Sequence, residues 1–191
     1  MSTQPAAVFK IVVTGPFSTG KTTFVETFAE RELVATEAST TSDSETQVKR
    51  ATTVGMDFGV LTLADPGGDI ELRLYGTPGQ ERFNFMWEML ADGAHAFVLL
   101  VNGQDESTWS ESRQHYEVMQ RFDIPGIIAV NRAAADSLSR VREHFSDLTL
   151  PVVPCEATEF EDVKAVLVEA LLAVLAELEE AEIADPTGAV S

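Results

Sequence analysis

Short apolar runs rich in β-branched residues recur along the chain. The run VFKIVVTG over residues 8–15 predicts a buried first strand. Alternating apolar and polar residues on both sides of a DPGGD turn predict an antiparallel hairpin over 56–76. Three later runs predict further strands over 95–102, 126–131 and 150–155.

Segments of helical composition follow most of these strands. They predict helices over 21–33, 107–121, 137–145 and 160–180. The alternation predicts an α/β fold with a mostly parallel six-stranded sheet, one antiparallel edge strand and helices on both faces. Residues 34–52, rich in serine, threonine and acidic side chains, predict a long mobile loop. We expect one domain over 8–180, between an N-terminal tail at 1–7 and a flexible tail at 181–191.

The composition restricts the classes of partner. The net charge of −18 argues against binding to nucleic acid, which needs clustered basic residues, and against direct docking on anionic lipid. The single cysteine, Cys155, excludes an internal disulfide and fits a reducing cytoplasm. The sequence has no secretory signal or lipidation motif, and its apolar runs are too short to span a bilayer. We expect a cytoplasmic protein without a direct membrane anchor, recruited to membranes only through a partner.

The segment GPFSTGKT, residues 15–22, matches the pattern G-x-x-x-x-G-K-S/T between a predicted strand and a predicted helix. Glycines let the backbone bend so that successive N–H groups converge on phosphate oxygens. Lys21 can place a charge on the terminal phosphates, and the Thr22 hydroxyl can ligate Mg²⁺. The predicted phosphate-binding residues are Gly15, Pro16, Phe17, Ser18, Thr19, Gly20, Lys21, Thr22 and Thr23. The motif predicts binding of a nucleoside phosphate but does not specify the base.

Further segments follow in the order typical of a Ras-like GTPase. TTVGMDFG (52–59) resembles the first switch, TPGQERF (77–83) the second, and the segments at 129–136 and 155–158 the base-binding loops. The pairing of GPFxxGKTTF with GTPGQERFxFMW is most similar to bacterial Ras-like small GTPases of the actinomycete conservon type, related to MglA-type gliding-motility GTPases. The resemblance covers roughly residues 8–178. It implies a P-loop NTPase that switches between GDP and GTP with Mg²⁺, together with a small roadblock-type (longin-like) regulatory protein.

The resemblance also assigns roles to individual residues. Thr53 would contact the γ-phosphate and Mg²⁺, the Gly79 N–H would contact the γ-phosphate, and Gln80 would orient the attacking water. Arg50 is a candidate for an arginine supplied by the chain itself, with a solvated loop charge as the alternative. The implied catalytic residues are Lys21, Arg50, Thr53 and Gln80, and the implied metal ligands are Thr22 and Thr53.

The base-binding end departs from the family pattern. By resemblance, Asn131 would contact the purine ring, Arg132 would lay its stem over the base, and the Ala157 N–H would meet the base oxygen. Ala134 stands where the family has the aspartate that reads guanine. Asp136 comes two residues later, and we favour it as the N-cap of the next helix, with a bulged loop that brings it to the base as the alternative. The choice between guanine and adenine therefore stays open at the level of these residues.

Two further departures concern the metal and the reaction. Gly76 replaces the aspartate that would hold the Mg²⁺ water shell, which predicts weaker metal binding. Asp57 is a candidate replacement, but support of the hairpin is the favoured interpretation. Phe17 would crowd an arginine entering from a partner, which predicts slow hydrolysis. The alternative function is a nucleotide-binding scaffold with little or no hydrolysis. The apolar segment 83–90 is interpreted as core, with a partner surface in one nucleotide state as the alternative, and His115 as an ordinary helix residue.

Overall fold

The computed structural model describes residues 5–29, 56–63, 67–79, 83–134 and 136–184. Six strands are present in this part of the chain: β1 (Ala7–Thr14), β2 (Asp57–Leu63), β3 (Ile70–Gly76), β4 (Ala96–Asn102), β5 (Gly126–Asn131) and β6 (Val152–Cys155). The helices are α1 (the described residues 21–29), α2 (Asn84–Ala91), α3 (Trp109–Gln120), α4 (Ser137–His144) and α5 (Phe160–Ala184).

The strands form one sheet in the order β2-β3-β1-β4-β5-β6. Neighbouring strands are parallel except for β2 and β3, which pair antiparallel at one edge. The predicted fold class is therefore confirmed. The connections leave β1 and β4 toward opposite edges of the sheet, so the crevice at their carboxyl ends is where such folds bind ligands.

Helices cover both faces of the sheet, which explains why its central strands are apolar throughout. All seven residues of β4 are buried. On one face α1 and α5 contribute Phe24, Phe28 and Val163 to the core. On the other face α2 and α3 contribute Trp87 and Met119. The loops at the carboxyl edge of the sheet are thus anchored in two hydrophobic core layers, one on each face of the sheet.

Two element boundaries differ from the sequence-based expectation. The last helix continues to Ala184, so residues 181–184 belong to α5 and not to the expected tail, because alanine and glutamate favour helical continuation. An unpredicted helix, α2, covers the segment 84–91. Its buried residues support the core interpretation, but Phe85 and Met89 are exposed. Among the described helices, none has the length and apolar content needed to cross a membrane.

Candidate nucleotide-binding site

The loop between β1 and α1 depends on its two glycines. Gly15 has φ 144° and Gly20 has φ 101°, a backbone region that side chains rarely adopt. A Cβ atom at Gly15 would lie 2.3 Å from the carbonyl oxygen of Leu100, and one at Gly20 would lie 2.3 Å from Asn131 Nδ2. The glycines therefore let the loop pass closely over β4 and β5 at the carboxyl edge of the sheet.

Lys21 stands at the start of α1 and turns back over this loop. Its Nζ donates hydrogen bonds of 2.6 Å to the carbonyl oxygens of Gly15 and Pro16, and the side chain is only 7% exposed. Burial lowers the pKa of Lys21 to about 8, although the nearby carboxylates of Asp57 and Glu111 oppose this shift. The loop thus holds a partly desolvated ammonium beside its converging backbone.

A cavity of about 660 Å³ opens over the loop, a size within the range of small-molecule sites. It is bounded by the phosphate loop, by β2, by the segment that follows β3 and by the loop that follows β5. Its lining residues are Phe17, Ser18, Gly20, Lys21, Thr22, Thr23, Asp57, Thr77, Pro78, Gly79, Phe83 and Arg132. The structure therefore brings together six of the nine predicted phosphate-binding residues with Gly79 and Arg132.

Asp57 enters this cavity from β2. The Thr22 hydroxyl donates a hydrogen bond of 2.7 Å to Asp57 Oδ2. Asp57 also pairs directly with Gly76 on β3, and a Cβ atom at Gly76 would lie 3.1 Å from Asp57 Oδ2. The Asp57 carboxylate thus borders the space beside position 76, where the resemblance expects an aspartate. Support of the hairpin is therefore not its whole role, because the carboxylate faces Thr22.

These oxygen ligands suit Mg²⁺, which needs only one or two protein ligands beside phosphate oxygens and water. Thr22 supplies a hydroxyl and Asp57 a carboxylate within hydrogen-bond distance of each other. In the described residues there is no cluster of three histidine, cysteine or acidic side chains that could hold a metal by itself. The site therefore fits a metal that is bound together with phosphate.

The segment after β3 is packed against the phosphate loop. The Thr77 N–H donates to the Val13 carbonyl oxygen at 2.8 Å. A Cβ atom at Gly79 would lie 2.8 Å from the Phe17 nitrogen and 2.9 Å from Lys21 Nζ, so only glycine allows this approach. Phe17 itself is 66% exposed. Three other predicted site residues, Arg50, Thr53 and Gln80, lie outside the described residues.

A buried polar network contacts the segment after β3 through Thr77 and Pro78. Thr14 Oγ1 lies 3.0 Å from Thr77 Oγ1 and 2.8 Å from His115 Nδ1. The His115 ring stacks on Trp87 with their centroids 3.7 Å apart, and Trp87 Nε1 donates to the Pro78 carbonyl oxygen at 2.8 Å. Burial, assisted by the charge of Lys21, lowers the pKa of His115 to about 3.

The sequence-based interpretation missed the role of His115. The buried positions of α3 include Trp109, Ser112, Tyr116 and Met119 as well as His115, which is a helical spacing. This spacing was the available signal, since it places the imidazole on the inward face. Thr14 provides a hydrogen-bond partner for Nδ1 of this buried imidazole, whereas the buried Nε2 has none among the described residues.

Asn131 joins the phosphate loop to the loop after β6. Its Nδ2 donates to the Thr19 carbonyl oxygen at 2.8 Å, and its Oδ1 accepts a hydrogen bond of 3.0 Å from the Ala157 N–H. That amide was expected to face the base. It instead satisfies Asn131, whose side chain is 2% exposed and needs a donor for its carbonyl group.

The loop after β5 has its own geometry. Arg132 has φ 56°, and its N–H donates to the Cys155 carbonyl oxygen at 3.1 Å. Asp136 occupies the expected N-cap position of α4, but its side chain makes no capping hydrogen bond. Its carboxylate lies 3.6 Å from Arg140, four residues later. The exposed Asp136 carboxylate is therefore engaged along the helix surface.

The sheet order and the phosphate loop define a P-loop nucleotide-binding protein with a Ras-like fold. The chain belongs to the family described as "Conserved hypothetical ATP binding protein", whose model matches residues 30–183. This match begins after the phosphate loop, so the geometry of the loop is an independent observation.

Individual relatives have names that say GTP-binding or Ras-related, not ATP-binding. The chain is 24% identical over 192 residues to GTP-binding protein YPTM1 of Zea mays, covering 95% of this chain and 83% of that protein. It is 23% identical to Ras-related protein RABD2a of Arabidopsis thaliana, with shares of 95% and 85%. It is 29% identical over 115 residues to Ras-related protein Rab-1A of Dictyostelium discoideum, covering 60% of this chain and half (50%) of that protein. These relatives support a Ras-like small GTPase.

Proposed function

We propose that this protein is a Ras-like small GTPase of the conservon type that switches between GDP- and GTP-bound forms and hydrolyses GTP slowly. The observation that carries the proposal is the single cavity in which the phosphate loop, the Thr22–Asp57 pair and Gly79 meet. The Ras-related names of the relatives favour a guanine nucleotide over the ATP of the family description. The domain extends from residue 8 to the end of α5 at Ala184, beyond the expected boundary at 180. It acts in the cytoplasm and reaches membranes only through a partner.

The phosphate groups bind to the backbone N–H groups of the loop and to Lys21. Its ammonium exchanges two carbonyl partners for phosphate oxygens, which carry a full negative charge and form stronger hydrogen bonds. The N-terminus of α1 adds its positive dipole end. Gly79 lies close enough to Lys21 for its N–H to reach the same terminal phosphate.

Thr22 and Asp57 would hold Mg²⁺ together with the phosphates, and Thr53 would join them in the triphosphate form. The metal, when bound, neutralises charge on the β- and γ-phosphates. Asp57 takes the place of the acidic residue missing at position 76, because both positions face the same space across the β2–β3 pair. Gln80 orients the attacking water, and Arg50 is the candidate arginine within the chain.

The exposed ring of Phe17 stands at the mouth of the cavity, where an arginine from a partner would have to enter. We therefore expect a roadblock-type regulatory protein to accelerate hydrolysis by positioning Gln80. A nucleotide-binding scaffold with little hydrolysis is the second candidate, favoured by the same obstruction.

Single-turnover hydrolysis of GTP and of ATP distinguishes these functions. The wild-type chain and the Gln80→Leu variant are compared, each with and without a roadblock-type protein. For a switch, GTP is hydrolysed faster than ATP, and the variant is slower than the wild type, most clearly with the regulator. Equal rates for both chains under every condition would favour the scaffold.

The metal assignment is tested by the Mg²⁺ concentration that gives half-maximal nucleotide binding. Asp57→Asn should raise it roughly 10- to 100-fold, whereas Asp69→Asn, just before the other end of β3, should leave it unchanged. Gly76→Asp alone should give no improvement, because the new side chain would crowd Asp57. Combining Gly76→Asp with Asp57→Gly, which removes the crowded side chain, should give better Mg²⁺ binding than Asp57→Gly alone. If Asp57→Asn behaves as wild type, Asp57 has no role at the metal.

A further inference from the structure

A second cavity, of about 300 Å³, lies beside the phosphate cavity, and Arg132 lines both. It is formed by the loops that follow β5 and β6, which emerge side by side because Asn131 pairs with Cys155. Its lining residues are Gln104, Arg132, Ala133, Ala134, Pro154, Cys155, Glu156 and Asp162. If the proposed function holds, this cavity takes the nucleotide base.

Recognition of guanine requires hydrogen-bond acceptors, because its N1–H and 2-amino groups are donors. Adenine lacks the 2-amino group and offers an acceptor at N1, so a carboxylate at this position discriminates between the two bases. Ala134 lines the cavity but cannot accept a hydrogen bond through its side chain. The carboxylates among the lining residues are those of Glu156 and Asp162.

These two acids are engaged differently. Asp162 Oδ2 accepts a hydrogen bond of 2.9 Å from the Glu156 N–H, so it holds the backbone of the loop. Glu156 Oε1 accepts only a long hydrogen bond of 3.3 Å from the hydroxyl of Thr158, which is exposed. The Glu156 carboxylate can therefore exchange this partner for a ligand, while Asp162 keeps the loop in place.

Two backbone N–H groups of this loop are already engaged, because those of Glu156 and Ala157 donate to Asp162 and Asn131. Burial, followed by the charges of Asp162 and Glu156, raises the pKa of the neighbouring Cys155 thiol to about 12.

We propose that Glu156 is the specificity-determining residue for guanine, accepting hydrogen bonds from N1–H and the 2-amino group in place of an aspartate at position 134. Asp162 acts as a positioning residue for Glu156. The carboxylate proposed to bind guanine thus lies in the loop after β6, whereas the family's aspartate would lie in the loop after the neighbouring strand, β5.

The test is displacement of a fluorescent GDP analogue by GDP, IDP and ADP, using the full chain with Mg²⁺. IDP keeps N1–H but lacks the 2-amino group. Glu156→Ala should weaken GDP binding roughly 10- to 100-fold, as expected for lost hydrogen bonds to a charged group, and should leave ADP binding within about twofold. The preference for GDP over IDP should also disappear. Glu156→Gln, which keeps the size of the side chain, should show an intermediate loss.

Two further variants make the result specific. Glu159→Ala removes an exposed carboxylate from the same loop and should bind like the wild type. Ala134→Asp in the Glu156→Ala background should restore the preference for GDP, because it returns an acceptor to the same cavity. Thermal unfolding of each variant verifies that it is folded.

Two outcomes would count against the inference in different ways. If the wild type prefers GDP over ADP and Glu156→Ala keeps that preference, another group reads the base and the role of Glu156 is refuted. If the wild type binds GDP and ADP equally, the guanine assignment in the proposed function fails, and the role of Glu156 fails with it.

Discussion

The His115 imidazole makes the stability of this fold depend on pH. The side chain is completely buried, its Nδ1 lies 2.8 Å from Thr14 Oγ1, and its ring stacks on Trp87. Burial in this position, with the charge of Lys21 nearby, lowers the pKa of His115 from 6.5 to about 3. The folded protein therefore keeps this histidine neutral under conditions in which an unfolded chain protonates it.

The sign and size of the effect follow from proton linkage. Between pH 6.5 and about 3 the unfolded state binds more protons at His115 than the folded state does. The stabilisation is complete above pH 6.5 and is lost progressively as the pH falls toward 3. Integrating from pH 7 to pH 5 gives a loss of about 2 kcal/mol in the free energy of unfolding. That is a large fraction of the stability of an ordinary domain.

Urea unfolding at pH 5, 6 and 7 measures this contribution. His115→Phe keeps an aromatic ring against Trp87, and His115→Asn keeps a polar atom near Thr14; neither can titrate. Both variants should be less stable than the wild type at pH 7. The difference between wild type and variant should shrink by about 2 kcal/mol at pH 5, because only the wild type loses the imidazole contribution.

The comparison is controlled by Ser112→Ala, a buried position on the same helix that leaves the imidazole in place. Its stability should follow the pH dependence of the wild type. Titration of carboxylates contributes equally to all these chains and cancels in the difference. If the stability difference between wild type and His115 variants is constant from pH 7 to pH 5, the imidazole is not held neutral by the fold.

Two further predictions concern the phosphate loop. Burial lowers the pKa of Lys21 to about 8, so the ammonium loses its charge as the pH rises through this value. Binding of tripolyphosphate should therefore weaken roughly tenfold between pH 7 and pH 9. Lys21→Arg should remove this pH dependence, and if the variant keeps it, Lys21 is not its source. Gly20→Ala should weaken GDP binding at least tenfold in a calorimetric titration, because the new Cβ would lie 2.3 Å from Asn131 Nδ2 at φ 101°. Gly93→Ala, at φ 66° with no atom within 4 Å, is the matched control and should bind GDP normally, whereas normal binding by Gly20→Ala would contradict the tight packing of the loop.

The parts of this fold that the sequence predicts well are those encoded within a short window. The apolar runs of β1, β4 and β5 and the spacing within α5 identify their elements directly. The phosphate loop is similarly local, since its glycines, lysine and threonine are consecutive in the chain. The helix α2 is harder to predict because its eight residues are mostly apolar and show no clear polar face.

The missed functional contacts are long-range. Thr22 and Asp57 are separated by 35 positions, and Thr14 and His115 by 101. No local pattern brings such residues together; the pairing of β2 with β3 and the packing of α3 on the sheet do so. The sequence identifies Thr22 and Asp57 as candidates but not Thr14 or His115, and only the tertiary structure shows which partner each residue contacts.

This distinction changes how departures from a family motif should be judged. Gly76 and Ala134 both lack the carboxylate expected at their positions, and each has an acid from an adjacent segment beside it. Asp57 faces Gly76 across the antiparallel pair, and Glu156 lies with Ala134 in the cavity beyond the parallel pair of β5 and β6. Because a carboxylate can contact any group within its reach, an acid on a neighbouring segment would meet the same chemical requirement. If the two proposals hold, a missing motif residue predicts lost function only where no neighbouring segment supplies a replacement.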